Sequence, residues 1–281
     1  RFKESISELE NDWIAIKSQL KRFADKGHSI QLHLHPQWLN ARYENCLWYS
    51  DLNIYKLADL NDKDAHQLFV DGCRLIEDIT GNSPIAFRAG DYCVQTYKGL
   101  IKSFCDTGIL IDSSVLRYKC TINEHEWFDY TTIPLDYIYR FANNVTEKEE
   151  DGHFTEVSIP TYNHCIIDIF IRKRKLIKVP NTTWGDGRSS TGGSLDKGFK
   201  KHINRLKMLF KPVRMSASID GISATYLRDI YRLEKRKNSP YMLIMGHPKT
   251  FTPYYLNLFE SFISGLDVKD SSTTIDTLIK I

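Results

Sequence analysis

The segment His33-Leu34-His35 places two imidazoles one residue apart. In an extended strand, side chains two positions apart project to the same side. Both rings then reach into one small volume at the strand's end, and two neutral imidazoles on one side are a start for a zinc-type metal site. Gly27-His28 opens this strand and Pro36-Gln37-Trp38 closes it. A second feature is His247, just past the apolar run Tyr241 to Met245 and followed by Pro248. A histidine there suits acid–base work near neutral pH. A third is Phe87-Arg88-Ala89-Gly90-Asp91-Tyr92, again at a strand's end. An arginine can grip a carboxylate bidentately and so fix a catalytic base, and Gly90 permits close backbone approach.

The elements that must position these groups follow from periodicity. Ile6, Leu9, Trp13, Ile16, Leu20 and Phe23 recur at helical spacing, and Gly27 ends that helix. Ser29 to His35 reads as a strand, and 55–80 as a helix with Leu57, Leu60, Leu68, Leu75, Ile76 and Ile79 inward. Ile85 to Phe87 is a short strand, 95–106 a helix, and Gly108 to Ser114 another strand. Glu156 to Pro160 and Cys165 to Ile171 read as extended, and the basic run Arg172 to Lys175 as a solvated strand end. The stretch 180–198 is a glycine-rich loop holding Trp184. A helix over 199–210, a strand from Val213 to Ile219 ending at Asp220, a helix over 223–236, a strand from Tyr241 to Met245 and a helix over 253–264 complete the chain. Strand–helix alternation of this kind implies a parallel sheet with helices outside it. The expectation is one domain over 1–281 with an irregular insertion near 116–165.

The 281 residues, 42% hydrophobic and 26% charged, suit a globular core of that size. A net charge of +3 gives no reason to expect nucleic acid or a membrane surface. No apolar run approaches the roughly 18 residues of a membrane helix. The six cysteines form no C-x-x-C pair, which argues against a zinc ribbon or a disulfide scaffold. With no signal-peptide pattern in view, a reducing, cytoplasmic setting is expected. Gly185-Asp186-Gly187 and Gly192-Gly193 lack the ending of a phosphate loop. The oligomeric state stays open.

Taken in order, Gly-His-x-Ile-x-x-His, Phe-Arg-x-Gly-x-Tyr, Ile-Asp-Ser-Ser and Ile-Met-x-His-Pro resemble the NodB-homology polysaccharide deacetylases, carbohydrate esterase family four. The likeness runs from about residue 20 to 265 and is nearest to members of capsule and lipopolysaccharide biosynthesis. It implies a distorted (β/α) barrel and a divalent metal such as Zn2+. The activity it implies is hydrolysis of N-acetyl groups on an amino-sugar glycan or glycan precursor. By resemblance, His33 and His35 are metal ligands and Arg88 orients the catalytic aspartate. The backbone amide of Tyr92 helps form the oxyanion hole, and His247 protonates the leaving amine. Asp112 and Asp220 are expected to shape the substrate pocket, with Trp38, Trp48 and Trp184 stacking on sugar rings. Folding is expected to gather 33, 35, 88 and 247 at one pocket.

Two departures stand out. The family's metal histidines are four apart, and these are two apart. The family's first motif, with its metal-binding and base aspartates, is missing, so the strand that carries it is expected to precede Arg1. Two other readings stay open: a carbohydrate-binding protein on a deacetylase-like scaffold that has lost catalysis, and a metal-dependent amidohydrolase with His-x-His on a strand.

Overall fold

The structure, a computed structural model, describes residues 9–95, 97–176 and 212–278. It is a mixed α/β protein that divides into two compact units, 1–159 with 272–281, and 160–271.

In the first unit, α1 (Glu10–Asp25) is followed by β1 (Leu32–Leu34), the hairpin β2 (Arg42–Glu44) and β3 (Leu47–Tyr49), and α2 (Asp62–Thr80). Then come β4 (Ala86–Ala89), α3 (Leu100–Thr107), β5 (Ile111–Asp112), the hairpin β6 (Cys120–Ile122) and β7 (Trp127–Asp129), β8 (Ile138–Phe141) and β9 (Phe154–Val157). The central sheet runs β1-β4-β5-β9-β8. The first four strands are parallel and β8 returns antiparallel to β9. This is an open parallel sheet with an antiparallel edge, and no closed barrel forms among the described residues. The stretch expected to be irregular therefore supplies two strands of the main sheet. Its Phe141 and Phe154 alternate inward, and each is fully or nearly fully buried.

Aromatic side chains weld helices to sheet. Phe69 of α2 lies 4.7 Å from Phe87 of β4, Phe87 lies 5.7 Å from Phe104 of α3, and Phe104 lies 5.5 Å from Phe154 of β9, all between ring centroids. Burying a side chain of this size is worth about 1.5–3 kcal/mol. Helix α2 starts later than periodicity suggests because Leu57–Asp59 forms a separate 3-10 turn. Asn61 then caps α2, its side chain accepting from the Asp64 amide at 2.9 Å.

The second unit holds β10 (Thr161–His164), α4 (Ile166–Leu176), β11 (Val213–Ser216), α5 (Leu227–Arg236) and α6 (Pro253–Ile263). Strands β10 and β11 pair antiparallel. Tyr162, Ile169, Ile219, Tyr226, Leu227, Ile230 and Phe262 form its core. Two expectations are corrected here. Cys165 to Ile171 is not extended, because α4 begins at Ile166. A short apolar run fits either element. What decides is the four-residue step, which puts Asp168 3.0 Å from Arg172 and leaves Ile169 on the buried side. The basic run thus occupies the last turn of a helix, where the helix dipole favours it. Tyr241 to Met245 is not a full strand either. It contributes a single parallel bridge, Met245 with Ser218. The expected helix over 199–210 and the Trp184 loop lie outside the described residues.

Candidate functional sites

In the first unit the chemistry collects where β1 and β4 end. Register pairs His33 with Arg88 and Leu34 with Ala89, so the next residues out, His35 and Gly90, lie opposite each other. Gly90 makes room for a ring: a Cβ there would stand 2.6 Å from His35 Nδ1 and 2.7 Å from the Leu34 carbonyl. Strand alternation brings the two imidazoles face to edge, with centroids 4.6 Å apart. Their Nε2 atoms are 3.0 Å apart. His33 Nδ1 stands 2.8 Å from the Arg88 carbonyl, to which only a protonated nitrogen can donate. His35 Nδ1 stands 3.1 Å from the Gln37 side-chain amide nitrogen. Burial chiefly lowers the His33 pKa, although the ring keeps an exposed edge, and the charges of His35 and Arg88 add to it. The Arg88 carbonyl works the other way without reversing the direction. A neutral imidazole with a lone pair on Nε2 is the form a metal takes.

These donors suit a divalent ion in type and spacing. Two nitrogens on one zinc stand roughly 3 to 3.4 Å apart at the usual bond lengths. They are nonetheless only two, and no group of three or more His, Cys, Asp or Glu able to hold an ion exists among the described residues.

Arg88 is buried deeper. Its Nε donates to the Ser113 carbonyl and its Nη2 to Ser113 Oγ, both at 2.9 Å. Burial opposes its charge, while Tyr92, Asp112 and Glu156 favour it. The aspartate it was expected to orient is not among these partners.

Asp112 departs from its expected place. It is fully buried and in register with Glu156, also fully buried, so it has no surface to offer a sugar. Burial raises both carboxyls above the usual carboxylate range, and the neighbouring Asp112 pushes Glu156 up as well. Asp112 accepts from Ser114 Oγ at 2.8 Å, and that hydroxyl accepts from the Ala89 amide at 2.9 Å. The acid pair thereby fixes the end of β4 from beneath.

Past β4, Asp91 (φ 48) and Tyr92 (φ 65) both adopt left-handed backbone. The Tyr92 carbonyl accepts from the Tyr130 hydroxyl at 2.5 Å. Tyr55 OH donates to Asp91 Oδ2 at 2.8 Å, and the same oxygen lies 3.7 Å from His35 Nδ1. Neither Asp91 nor Tyr55 was singled out from sequence. Their one legible signal was an Asp inside the Arg-Ala-Gly-Asp-Tyr turn. Trp38 follows the histidine pair on a 3-10 turn, 47% exposed, its ring edge-to-face with Trp48 at 5.7 Å.

In the second unit, the parallel bridge between Ser218 and Met245 places Asp220 and His247 two residues beyond it, side by side. His247 Nδ1 lies 2.7 Å from Asp220 Oδ2. The His247 amide donates to Oδ1 at 2.8 Å. Thr250 Oγ1 donates to Oδ1 at 2.5 Å and Ser218 Oγ to Oδ2 at 2.7 Å. Partial burial alone would raise this carboxyl. The hydrogen bonds from His247, Thr250 and Ser218 outweigh it and hold Asp220 well below the usual carboxylate range. Asp220 is thus the carboxylate that fixes the His247 ring. His247 itself remains about half exposed. Gly246 allows the approach, since a Cβ there would meet the Ile219 side chain at 2.7 Å.

No family model and no curated protein matches the chain. Among solved structures, it is similar to a Mycobacterium smegmatis protein provisionally assigned as a polysaccharide deacetylase. That similarity has a TM-score of 0.47 and 13% identity over 94% of this chain and 66% of the other. A GH57 branching enzyme from Thermococcus kodakaraensis is similar at a TM-score of 0.43 and 10% identity, over 97% of this chain and 51% of the other. The chain thus spans less than two thirds of either protein, and likeness at this level bears on neither activity nor substrate. Among the described residues, no helix is long and apolar enough to cross a membrane.

Proposed function

We propose that the chain belongs to a metal-dependent amide hydrolase that removes N-acetyl groups from an amino-sugar glycan or glycan precursor. The observation that carries this reading is the convergence of His33 and His35, whose Nε2 atoms stand 3.0 Å apart. The motif order along the chain, which resembles the NodB-homology deacetylases, supports it.

In this reading His33 and His35 would hold a divalent ion, probe of choice Zn2+. Bound there, such an ion supplies Lewis acidity to an acyl carbonyl and to a water molecule. The Arg88 carbonyl fixes the His33 tautomer. Arg88, anchored on Ser113, and the Asp112–Ser114 relay keep the turn at Tyr92 in place, where the resemblance puts an oxyanion-stabilising amide. In the second unit, Asp220 holds His247 at Nδ1 and leaves Nε2 for proton transfer. Trp38 offers an exposed ring on which a sugar face can stack.

The test is acetate release from N-acetylglucosamine oligomers by the whole protein with Zn2+. His247→Ala is expected to lower the rate by about 10²–10⁴-fold, the usual worth of a positioned acid or base. A variant within a few-fold of the wild type contradicts the assignment. A second reading, a deacetylase-like protein that binds glycan without hydrolysing it, draws on the lack of a group of three or more metal-type ligands among the described residues. Saturable oligomer binding with no acetate release at any metal concentration selects it.

A further inference from the structure

The net charge of +3 over the whole chain hides a division. Residues 160–271, the second unit, carry 20 Lys and Arg against 9 Asp and Glu, a net of +11. The remaining residues carry 18 against 26, a net of −8. Such an asymmetry within one chain is the electrostatic footprint of an anionic partner for the basic part.

Some of that positive charge is presented on α4 together with apolar surface. The helix packs inward through Ile169, which is buried. The side of a helix that faces water is ordinarily polar. On α4 it is not: Ile167, Phe170 and Ile171 are 57%, 60% and 48% exposed. Their spacing of three and four residues sets them on one face, opposite Ile169. Single apolar residues on a surface need no explanation, but a contiguous group marks a contact. Arg174, one turn further along the same face, holds its guanidinium 6.0 Å from the centre of the Phe170 ring. Lys173 and Lys175 beside it are exposed. Arg172 differs, since Asp168 at 3.0 Å and Asp229 at 2.8 Å hold it and so tie α4 to α5.

Charge and apolarity together choose the occupant. A nucleic acid matches the cations and offers a base to stack on Phe170, but it gives no return for two isoleucines. Protein from this same chain suits the apolar side chains and meets the charge with more of its own sign. Residues 177–211 hold 8 Lys and Arg against 2 Asp and Glu, and a second copy brings another +11. A bilayer with acidic lipid answers both features. Apolar side chains enter the boundary between headgroups and acyl chains, while Lys and Arg keep their charged ends among the phosphates.

We propose that the outward face of α4, with Ile167, Phe170 and Ile171 framed by Lys173, Arg174 and Lys175, docks this protein on the surface of a bilayer rich in acidic phospholipid. The contact is peripheral and needs no spanning helix. It stands apart from the hydrolase reading and uses none of its residues.

The test is cosedimentation of the whole protein with vesicles of phosphatidylcholine alone and of phosphatidylcholine mixed with phosphatidylglycerol. Melting temperature and oligomeric state are read alongside. Binding is expected to the mixed vesicles only, and to weaken as salt rises. Lys173→Gln, Arg174→Gln and Lys175→Gln combined should weaken it about 10²-fold, roughly fivefold for each cation lost at an anionic surface. Phe170→Ala should weaken it about 10-fold, the scale of one aromatic side chain left in water, with the melting temperature unchanged. No binding by the wild type, or equal binding by the wild type and both variants, overturns the proposal. A Phe170→Ala protein that melts lower or turns from dimer to monomer, with vesicle binding unaltered, also overturns it, because the chain itself or a second copy then covers the face. Binding of nucleic acid with none to the mixed vesicles overturns it in favour of that partner. Acetate release bears on none of these outcomes, so the two readings fail separately.

Discussion

Two histidine sites in this chain are built on the same plan and end differently. In each, two parallel segments pair and the chemistry sits two residues beyond a paired position. Beyond His33 and Arg88 the opposing residues are His35 and Gly90. Beyond Ser218 and Met245 they are Asp220 and His247. Where the neighbour is glycine, the imidazole has room to turn toward a second imidazole, 3.0 Å away between Nε2 atoms. Where the neighbour is aspartate, the imidazole is locked by its Nδ1 at 2.7 Å. The residue facing the histidine thus decides how its ring is held, toward a second imidazole or against a carboxylate.

The strongest way to break that contrast is to neutralise Asp220. Each of its oxygens meets two donors, His247 N and Thr250 Oγ1 on one, His247 Nδ1 and Ser218 Oγ on the other. An asparagine must turn its own NH2 toward two donors. Asp220→Asn is therefore expected to cut acetate release on the order of 10²–10⁴-fold without changing zinc affinity. Equal loss of zinc would show that the sites are not chemically distinct.

The same substitution has a signature in pH. Asp220 titrates below its unfolded-state value, so its stabilising effect is fully present above the unfolded pKa of about 3.9. The effect is lost as pH falls through the lower folded value. The melting-temperature gap between wild type and Asp220→Asn should be constant near neutrality and shrink in acid. A gap that widens toward low pH contradicts the direction of the shift.

The two glycines sharpen the comparison further. Gly90→Ala drives a Cβ against the Leu34 backbone carbonyl and the His35 ring. It should cost about 1–3 kcal/mol by denaturant unfolding and also weaken zinc. Gly246→Ala meets Cγ1 and Cδ1 of the Ile219 side chain and the Phe251 ring, side-chain atoms rather than backbone, so its cost should fall below that of Gly90→Ala, at about 1 kcal/mol. A reversed order would place the tighter backbone approach at the wrong site.

Much of this was written in the sequence locally. The alternation His33-Leu34-His35 puts both rings on one side of a strand whatever the rest of the fold does. The value of Gly90 for close approach followed from glycine itself. Mixed α/β layering followed from the alternation of periods. Pairings across long sequence separations could not be read in the same way. Asp220 meets His247 27 residues on, Asp91 meets Tyr55 36 residues back, and Asp112 lies in register with Glu156. Nothing in single-chain periodicity says which strand end faces which. The reading of Cys165 to Ile171 as extended failed for another reason, since a helix begins at Ile166. Its apolar run satisfies both periods, and the Asp168–Arg172 step was the available signal for a helix. The barrel expectation came from resemblance, and the described residues form an open sheet instead.

The most direct test of the account is the metal content of the purified whole protein beside two variants, His33→Ala and His247→Ala. One divalent ion per chain is predicted in the wild type and in His247→Ala, with the ion lost from His33→Ala. Metal retained by His33→Ala, or lost equally from both variants, would contradict a ligand site at the first histidine pair and a separate proton-transfer site at the second.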